Sequence, residues 1–293
     1  MASLAALATI IVDGVLLGGI YALAAVGLSL AWGTSRVINL AHGMFIVIGA
    51  YIAASLEELA GLHPAASIPV ALGVGFAVGY LLYRYGLHRV AENDVMSLLA
   101  TFGLSLVAYG VVQLLWGNNY VGARWGLGFA INIGGVYILA DKLAGFAAAS
   151  AMIAALWLLV ARTGLGRAMR ALAQSFEAAR IIGIDVRRVG AIAFGLAVAT
   201  AMAAGVVLTS YLPLINGDAG GTWLMIAFAV TALAGIGNLP GLIAAGVMLG
   251  VASSLAGFYL GPVMQAALPM ILVAVVYAVK PEGILARVRA RRV

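Results

Sequence analysis

Nine stretches of this chain stay apolar for long enough to cross a lipid bilayer as helices, and that repetition restricts the fold more than any motif. They cover residues 8 to 31, 38 to 56, 66 to 83, 95 to 116, 144 to 161, 189 to 212, 221 to 237, 240 to 258 and 264 to 280. A spanning helix needs about 20 mostly apolar residues, and short polar segments between such runs mark the turns. The expected fold is all-α: a polytopic transmembrane helical bundle of about 8–10 spans, forming a single transmembrane domain over residues 1–293. A mean hydropathy of +1.13 with only 9% charged residues excludes a soluble domain of this length. The first run has no Lys or Arg before it, so it reads as a true span and not as a cleaved signal.

The 38 glycines fit that solvent. Small residues let helix backbones approach closely in lipid, and Gly75 with Gly79, or Gly246 with Gly250, recur one helical turn apart, as on packed faces. With no cysteine, disulfides and thiolate metal sites are excluded. His42, His63 and His88 are scattered, so neither a metal site nor a catalytic constellation is expected, and no cofactor is implied.

Charge sets the expected orientation. With the C-terminal tail cytoplasmic, 14 of the 16 basic residues fall inside, leaving Arg124 and Lys142 outside. Nine spans then put the N-terminus on the external side. The net charge of +6 reflects topology and contact with anionic lipid, not nucleic acid. Residues 117–143 become the largest external loop, and residues 163–188 the largest cytoplasmic segment.

That cytoplasmic segment is expected to hold two short helices. Arg167, Arg170 and Gln174 share one face, with Met169 and Leu172 on another, as in an amphipathic surface helix. Ser175 then serves as an N-cap, Glu177 sits in the first turn, and Gly183 ends a second helix over about 176 to 182. A helix of two turns is not stable alone. Phe176, Ile181 and Ile182 offer apolar grip and Ala178 and Ala179 allow close approach; the surface they meet is either the bundle itself or a cytoplasmic partner.

Polar groups inside spans are expensive and therefore informative. Asn39 and His42, with Gly43 next to them, share a face near the start of the second span; they either line a path or support an irregular helix start. Gly235, Gly237, Asn238 and Pro240 form a tight break between the seventh and eighth spans. Asn39 to Gly43 and Asn238 to Gly241 look faintly alike, as in an internal repeat. Asp13 is the sole acidic residue clearly inside a proposed span, which argues against an autonomous ion-coupled transporter or channel.

The pattern Glu177-Ala178-Ala179, three residues, Gly183 resembles the EAA loop of ABC importer permeases, whose short coupling helix docks into an ATPase subunit. GGIYALAAVGLSLAWG (18 to 33), INLAHG (38 to 43), GRAMRA (166 to 171) leading to GID, ALAGIGNLPG (232 to 241) and KPEGIL (280 to 285) together resemble the LivH type of branched-chain amino-acid permease. One departure is Ala234-Gly235-Ile236-Gly237-Asn238, where many relatives carry a GGIGS-like stretch.

The resemblance implies a non-catalytic permease subunit in the inner membrane. Its expected partners are two ATPase subunits, a periplasmic substrate-binding protein, and either a LivM-like sister permease or a second copy of this chain. The expected cargo is leucine, isoleucine or valine, with other amino acids or urea and short amides as alternatives. Glu177, Ala178, Ala179 and Gly183, with Phe176 and Arg180 beside them, become the ATPase contact. Asn39, His42, Gly43, Gly235, Gly237 and Asn238 become candidates for the path or for helix breaks. The chain lacks a GxxxxGK[ST] sequence, so phosphate chemistry belongs to a partner.

Overall fold

A computed structural model describes residues 4–212, 214–280 and 283–285. The basic tail residues Arg287, Arg289, Arg291 and Arg292, and Pro281 and Glu282 of the KPEGIL stretch, lie outside the described residues. The chain forms α1 (Leu4–Leu30), α2 (His42–Ala60), α3 (Pro64–Tyr85), α4 (Asp94–Trp116), a hairpin of β1 (Ala130–Ile133) and β2 (Val136–Leu139), α5 (Ala140–Arg162), α6 (Gly164–Gln174), α7 (Phe176–Ile181), α8 (Val186–Leu208), α9 (Ala219–Ala234), α10 (Leu239–Leu260) and α11 (Pro262–Val279).

Each of the nine apolar runs is helical, but among the described residues eight helices are long and apolar enough to span. The exception is α9, whose 16 residues cover about 24 Å at 1.5 Å per residue, short of a hydrocarbon layer of about 30 Å. Gly235 at φ 80 stops it at one end. At the other, residues 209 to 212 and 214 to 218 lie between α8 and α9 as irregular backbone that includes a β-bridge from Ile215 to Val121.

The second span also starts later than its hydropathy suggests. α1 ends in a π turn, Ala31–Ser35, and Arg36 follows in the left-handed region at φ 52. Residues 36 to 41 are consequently non-helical, and α2 begins at His42. Asn39 lies in that break, not on the helix: its side chain accepts from Ala41 N at 3.1 Å and its carbonyl accepts from His42 N at 3.2 Å.

The described basic residues divide between two faces of the bundle. Arg36, Arg84 and the α6–α7 segment meet at one: Arg187 donates to Arg84 O at 2.7 Å, and Ser35 Oγ donates to Gly190 O at 3.1 Å. The hairpin marks the other, where Lys142 Nζ bonds Asp13 at 2.6 Å, Tyr211 OH also donates to Asp13, and Lys142 stands 4.1 Å from the Tyr211 ring centroid. Burial, and then the bond to Asp13, raise the Tyr211 pKa, which keeps that hydroxyl a donor. Residues 117 to 143 are tied to this hairpin face. Trp125 is buried and its indole donates to Thr209 Oγ1 at 3.0 Å, while Arg124 N donates to Glu57 at 2.8 Å.

Of the eight helices long enough to span, α1 and α8 are the two most buried, and they run in opposite directions between the faces. α1 packs along α10 and α3 packs along α8, while α9 crosses α1 and α2 crosses α8. Exchanging α1–α4 with α8–α11 reproduces these pairings, which is the arrangement of an inverted repeat. Both long seams use the glycines that the sequence spaces one turn apart. A β-carbon on Gly18 would stand 2.5 Å from Val247 Cα, one on Gly246 2.6 Å from Gly18 O, and one on Gly75 2.7 Å from Ala199 Cα.

The repeat corrects the likeness drawn between Asn39–Gly43 and Asn238–Gly241. By topology, the counterpart of Ile38-Asn39-Leu40-Ala41-His42-Gly43 is Ile215-Asn216-Gly217-Asp218-Ala219-Gly220, the segment leading into α9. Both read Ile-Asn, three residues, Gly.

Candidate functional site

The α6–α7 elbow forms because its local signals agree. Thr163 caps α6 by accepting from Gly166 N at 3.0 Å, and Met169 and Leu172 are buried while Arg167 and Arg170 face out. Ser175 Oγ accepts from Ala178 N at 3.1 Å and caps α7. Gly183 takes φ 82, and its N–H bonds Arg180 O at 3.1 Å while Ile184 N bonds Ala179 O at 3.0 Å. A left-handed residue is needed there, and glycine adopts that conformation without steric cost.

A helix of six residues depends on its anchors. Phe176 and Ala179 are buried against Met169, Leu172, Val186, Val189 and Ala193. The Arg36 guanidinium lies 4.9 Å from the Phe176 ring centroid, a cation–π contact that links α7 to the end of α1. Arg180 pairs with Glu92 at 2.5 Å, above a cavity of about 260 Å³ lined by Tyr83, His88, Glu92, Phe176, Arg180 and Arg187. Glu177, Ala178 and Gly183 are exposed, and Ile181 and Ile182 project with 80% and 71% exposure. The elbow is therefore anchored on one side and presents an apolar tip on the other.

These anchors differ in weight. Phe176→Ala is expected to cost about 3 kcal/mol by emptying a buried aromatic site, whereas Arg180→Ala should cost about 1 kcal/mol or less, because the pair is solvent-exposed and screened. Thermal unfolding of the two purified variants in detergent checks this order, and equal losses would show that the ion pair holds α7.

The other sequence-derived candidates fall into two separate places. Gly235, Gly237 and Asn238 form a clasp on the basic face. Gly237 N donates to Ser29 Oγ at 2.9 Å, and Asn238 Nδ2 donates to Ala234 O at 3.0 Å and to Leu285 O at 3.1 Å. Asn238 Oδ1 accepts from Gly241 N at 3.2 Å and caps α10. The turn joining α9 to α10 is thus bound to α1 and to the KPEGIL stretch.

Asn39, His42 and Gly43 lie far deeper. His42 is fully buried and its Nε2 is 2.7 Å from Ala24 O, six residues before the end of α1. A carbonyl only accepts, so Nε2 carries the proton and Nδ1 is left as the acceptor. Neither that nitrogen nor Asn39 Nδ2 has a hydrogen-bond partner among the described residues. Gly43 packs directly on the Gly220 carbonyl, and Trp223 in the first turns of α9 meets Tyr21 with ring centroids 5.9 Å apart. The starts of α2 and α9 therefore meet inside the bundle, each preceded by a break.

Arg36, Glu92 and the Asn216–Asp218 pair are absent from the candidates drawn from sequence. Arg36 and Glu92 carry no local signal, since their partners are distant in the chain. The duplicated Ile-Asn-x3-Gly could have located the second break.

A family model described as branched-chain amino acid transport system, permease component, matches residues 10–279, which covers nearly all of the bundle. The chain belongs to this permease family. It is 30% identical to the high-affinity branched-chain amino acid transport system permease protein LivH of Escherichia coli K12, over 96% of each chain. BraD of Pseudomonas aeruginosa, a permease protein of a high-affinity branched-chain amino acid transport system, is 28% identical over 97% of each. A probable branched-chain amino acid transport permease protein LivH from Methanocaldococcus jannaschii is 26% identical, covering 86% of this chain and 81% of its own. As a member of the family, the chain is a multi-pass permease subunit of an ABC importer.

Proposed function

We propose that this permease carries branched-chain amino acids across the inner membrane, driven by two ATPase subunits of which one docks on α7. The anchored elbow with its exposed tip is the observation that carries this reading: a six-residue helix held by Phe176 and presenting Ile181 and Ile182 is suited to transmit a push from a partner. The cargo assignment rests on the named relatives. The aliphatic and small residues that build most of the bundle are compatible with it.

The basic face is the cytoplasmic one in this reading, as its arginines favour, with the C-terminus on that side and the N-terminus outside. The hairpin face then meets a periplasmic binding protein. A LivM-like sister permease completes the membrane part.

Coupling is tested by Glu177→Ala and Gly183→Leu. Glu177 is exposed in the first turn of α7, so its loss leaves the fold intact; leucine at Gly183 strains the left-handed stop. Both variants should reach the membrane yet hydrolyse ATP without matching uptake in proteoliposomes containing all subunits. Wild-type uptake in both would remove α7 from the coupling role, and gradient-driven flux by the chain without any ATPase would remove the ATP-driven reading altogether.

A further inference from the structure

The two breaks of the inverted repeat share a sequence pattern but differ in what they show to the outside. In the first, Asn39 and His42 are sealed. In the second, the residue corresponding to Ala41 is Asp218, and it is exposed. Asp218 Oδ1 accepts from Tyr109 OH at 2.9 Å, and Oδ2 accepts from Asn216 Nδ2 at 3.3 Å. Among the described residues, the two ion pairs are Lys142–Asp13 and Arg180–Glu92, so this carboxylate has no cationic partner there.

Its depth gives the exposure meaning. A β-carbon on the adjacent Gly217 would lie 3.4 Å from Val112 and Gln113 and 3.5 Å from Tyr109. Those side chains stand one to two turns before the end of α4 at Trp116, roughly 5–10 Å inside the bundle end at 1.5 Å per residue. Two residues beyond Asp218, Gly220 reaches Met44 at the start of α2, inside the bundle. A carboxylate turned to hydrocarbon at that depth is strongly disfavoured, and acidic residues inside membranes face a water-filled cavity or a cationic partner. The side of the bundle between α4 and the start of α9 is therefore not a lipid-facing side.

The chemistry of the site narrows the ligand. Asp218 stands at the start of α9, where the helix dipole suits an acidic side chain. Among the described residues it has no cation as an ion-pair partner. We propose that Asp218, positioned by Tyr109 and Asn216, is the cargo-facing acid of the translocation path and binds the ammonium group of an amino-acid substrate; this rests on the amino-acid reading above. It makes the second break the recognising half of the repeat, and the sealed first break its structural counterpart.

Asp218→Asn is a nearly isosteric test. Asparagine keeps an oxygen for the Tyr109 hydroxyl and suits a helix start, so charge is the main change. The complete complex with its ATPases and binding protein is reconstituted in liposomes, and uptake of labelled leucine is measured beside binding-protein-stimulated ATP hydrolysis and subunit co-purification. We expect leucine uptake to fall at least tenfold while co-purification of the other subunits stays within twofold, and Asp218→Glu to recover part of the uptake. Uptake within twofold of wild type for Asp218→Asn overturns the proposal. So does loss of the other subunits from the purified variant, which would make Asp218 a subunit contact. If the wild-type complex imports acetamide but no leucine, the amino-acid reading itself fails, a result separable from the others because it needs no variant.

Discussion

Replacing Ile181 and Ile182 together with aspartate is expected to release the ATPase subunit that docks on α7 and abolish ATP-driven uptake while the chain stays inserted. Both side chains stand free of the bundle, at 80% and 71% exposure, and the anchors of α7 lie on the other side of the helix at Phe176 and Ala179. The substitution leaves those anchors untouched. A partner that buries both isoleucines gains roughly 4 kcal/mol from their apolar surface, on the order of a thousandfold in Kd. Aspartate removes that gain and adds a charge that a partner groove would have to desolvate. Co-purification of the ATPases from detergent extracts gives the readout. Full retention of the ATPases by the double variant would show that the exposed tip is not the docking surface.

Gly43→Leu is expected to have the largest structural effect. A β-carbon there would overlap the Gly220 carbonyl and lie 2.8 Å from Leu224 N, so the starts of α2 and α9 would have to part. Backbone cannot move aside as a side chain can, and overpacking of this kind costs roughly 3 kcal/mol or more. The expected outcome is a membrane protein that extracts as aggregate or is degraded. Gly103→Leu is the control: nothing lies within 4 Å of a β-carbon at that position, and leucine facing lipid there should leave the yield of folded protein unchanged. A Gly43→Leu variant with wild-type yield and melting behaviour would show that the two helix starts are not tightly packed against each other.

Much of the elbow is legible in the amino-acid sequence because its signals are local. A serine side chain caps a helix two or three residues on, and a glycine ends one where it stands, so Ser175 and Gly183 bound α7 without reference to the rest of the fold. The glycine pairs at Gly75 and Gly79 and at Gly246 and Gly250 mark packed faces for the same reason, although their spacing does not say that the partners are α8 and α1. Hydropathy finds every long helix. It misreads α9 because the window sees apolar character without depth, and a helix that starts inside the bundle is as apolar as one that starts at its edge.

The candidates at Asn39 and His42 show the same division. Their polarity within an apolar run announces a break, yet His42 meets Ala24 O and Gly43 meets Gly220 only through tertiary packing. Asp218 looks like an ordinary loop residue because the connection between α8 and α9 reads as polar and short.

What the amino-acid sequence determined alone was the solvent of the fold, the existence of its helices, the bias of its charges toward one side, and the caps of the short elbow. Each follows from the transfer free energy of a segment or from hydrogen bonds a few residues long. Which helices pair, where the two breaks meet, that Arg36 reaches Phe176, and that Asp218 meets Tyr109 of α4 were decided by tertiary structure. Those facts depend on contacts between residues far apart in the chain, whose geometry exists only once the two halves of the repeat have packed against each other.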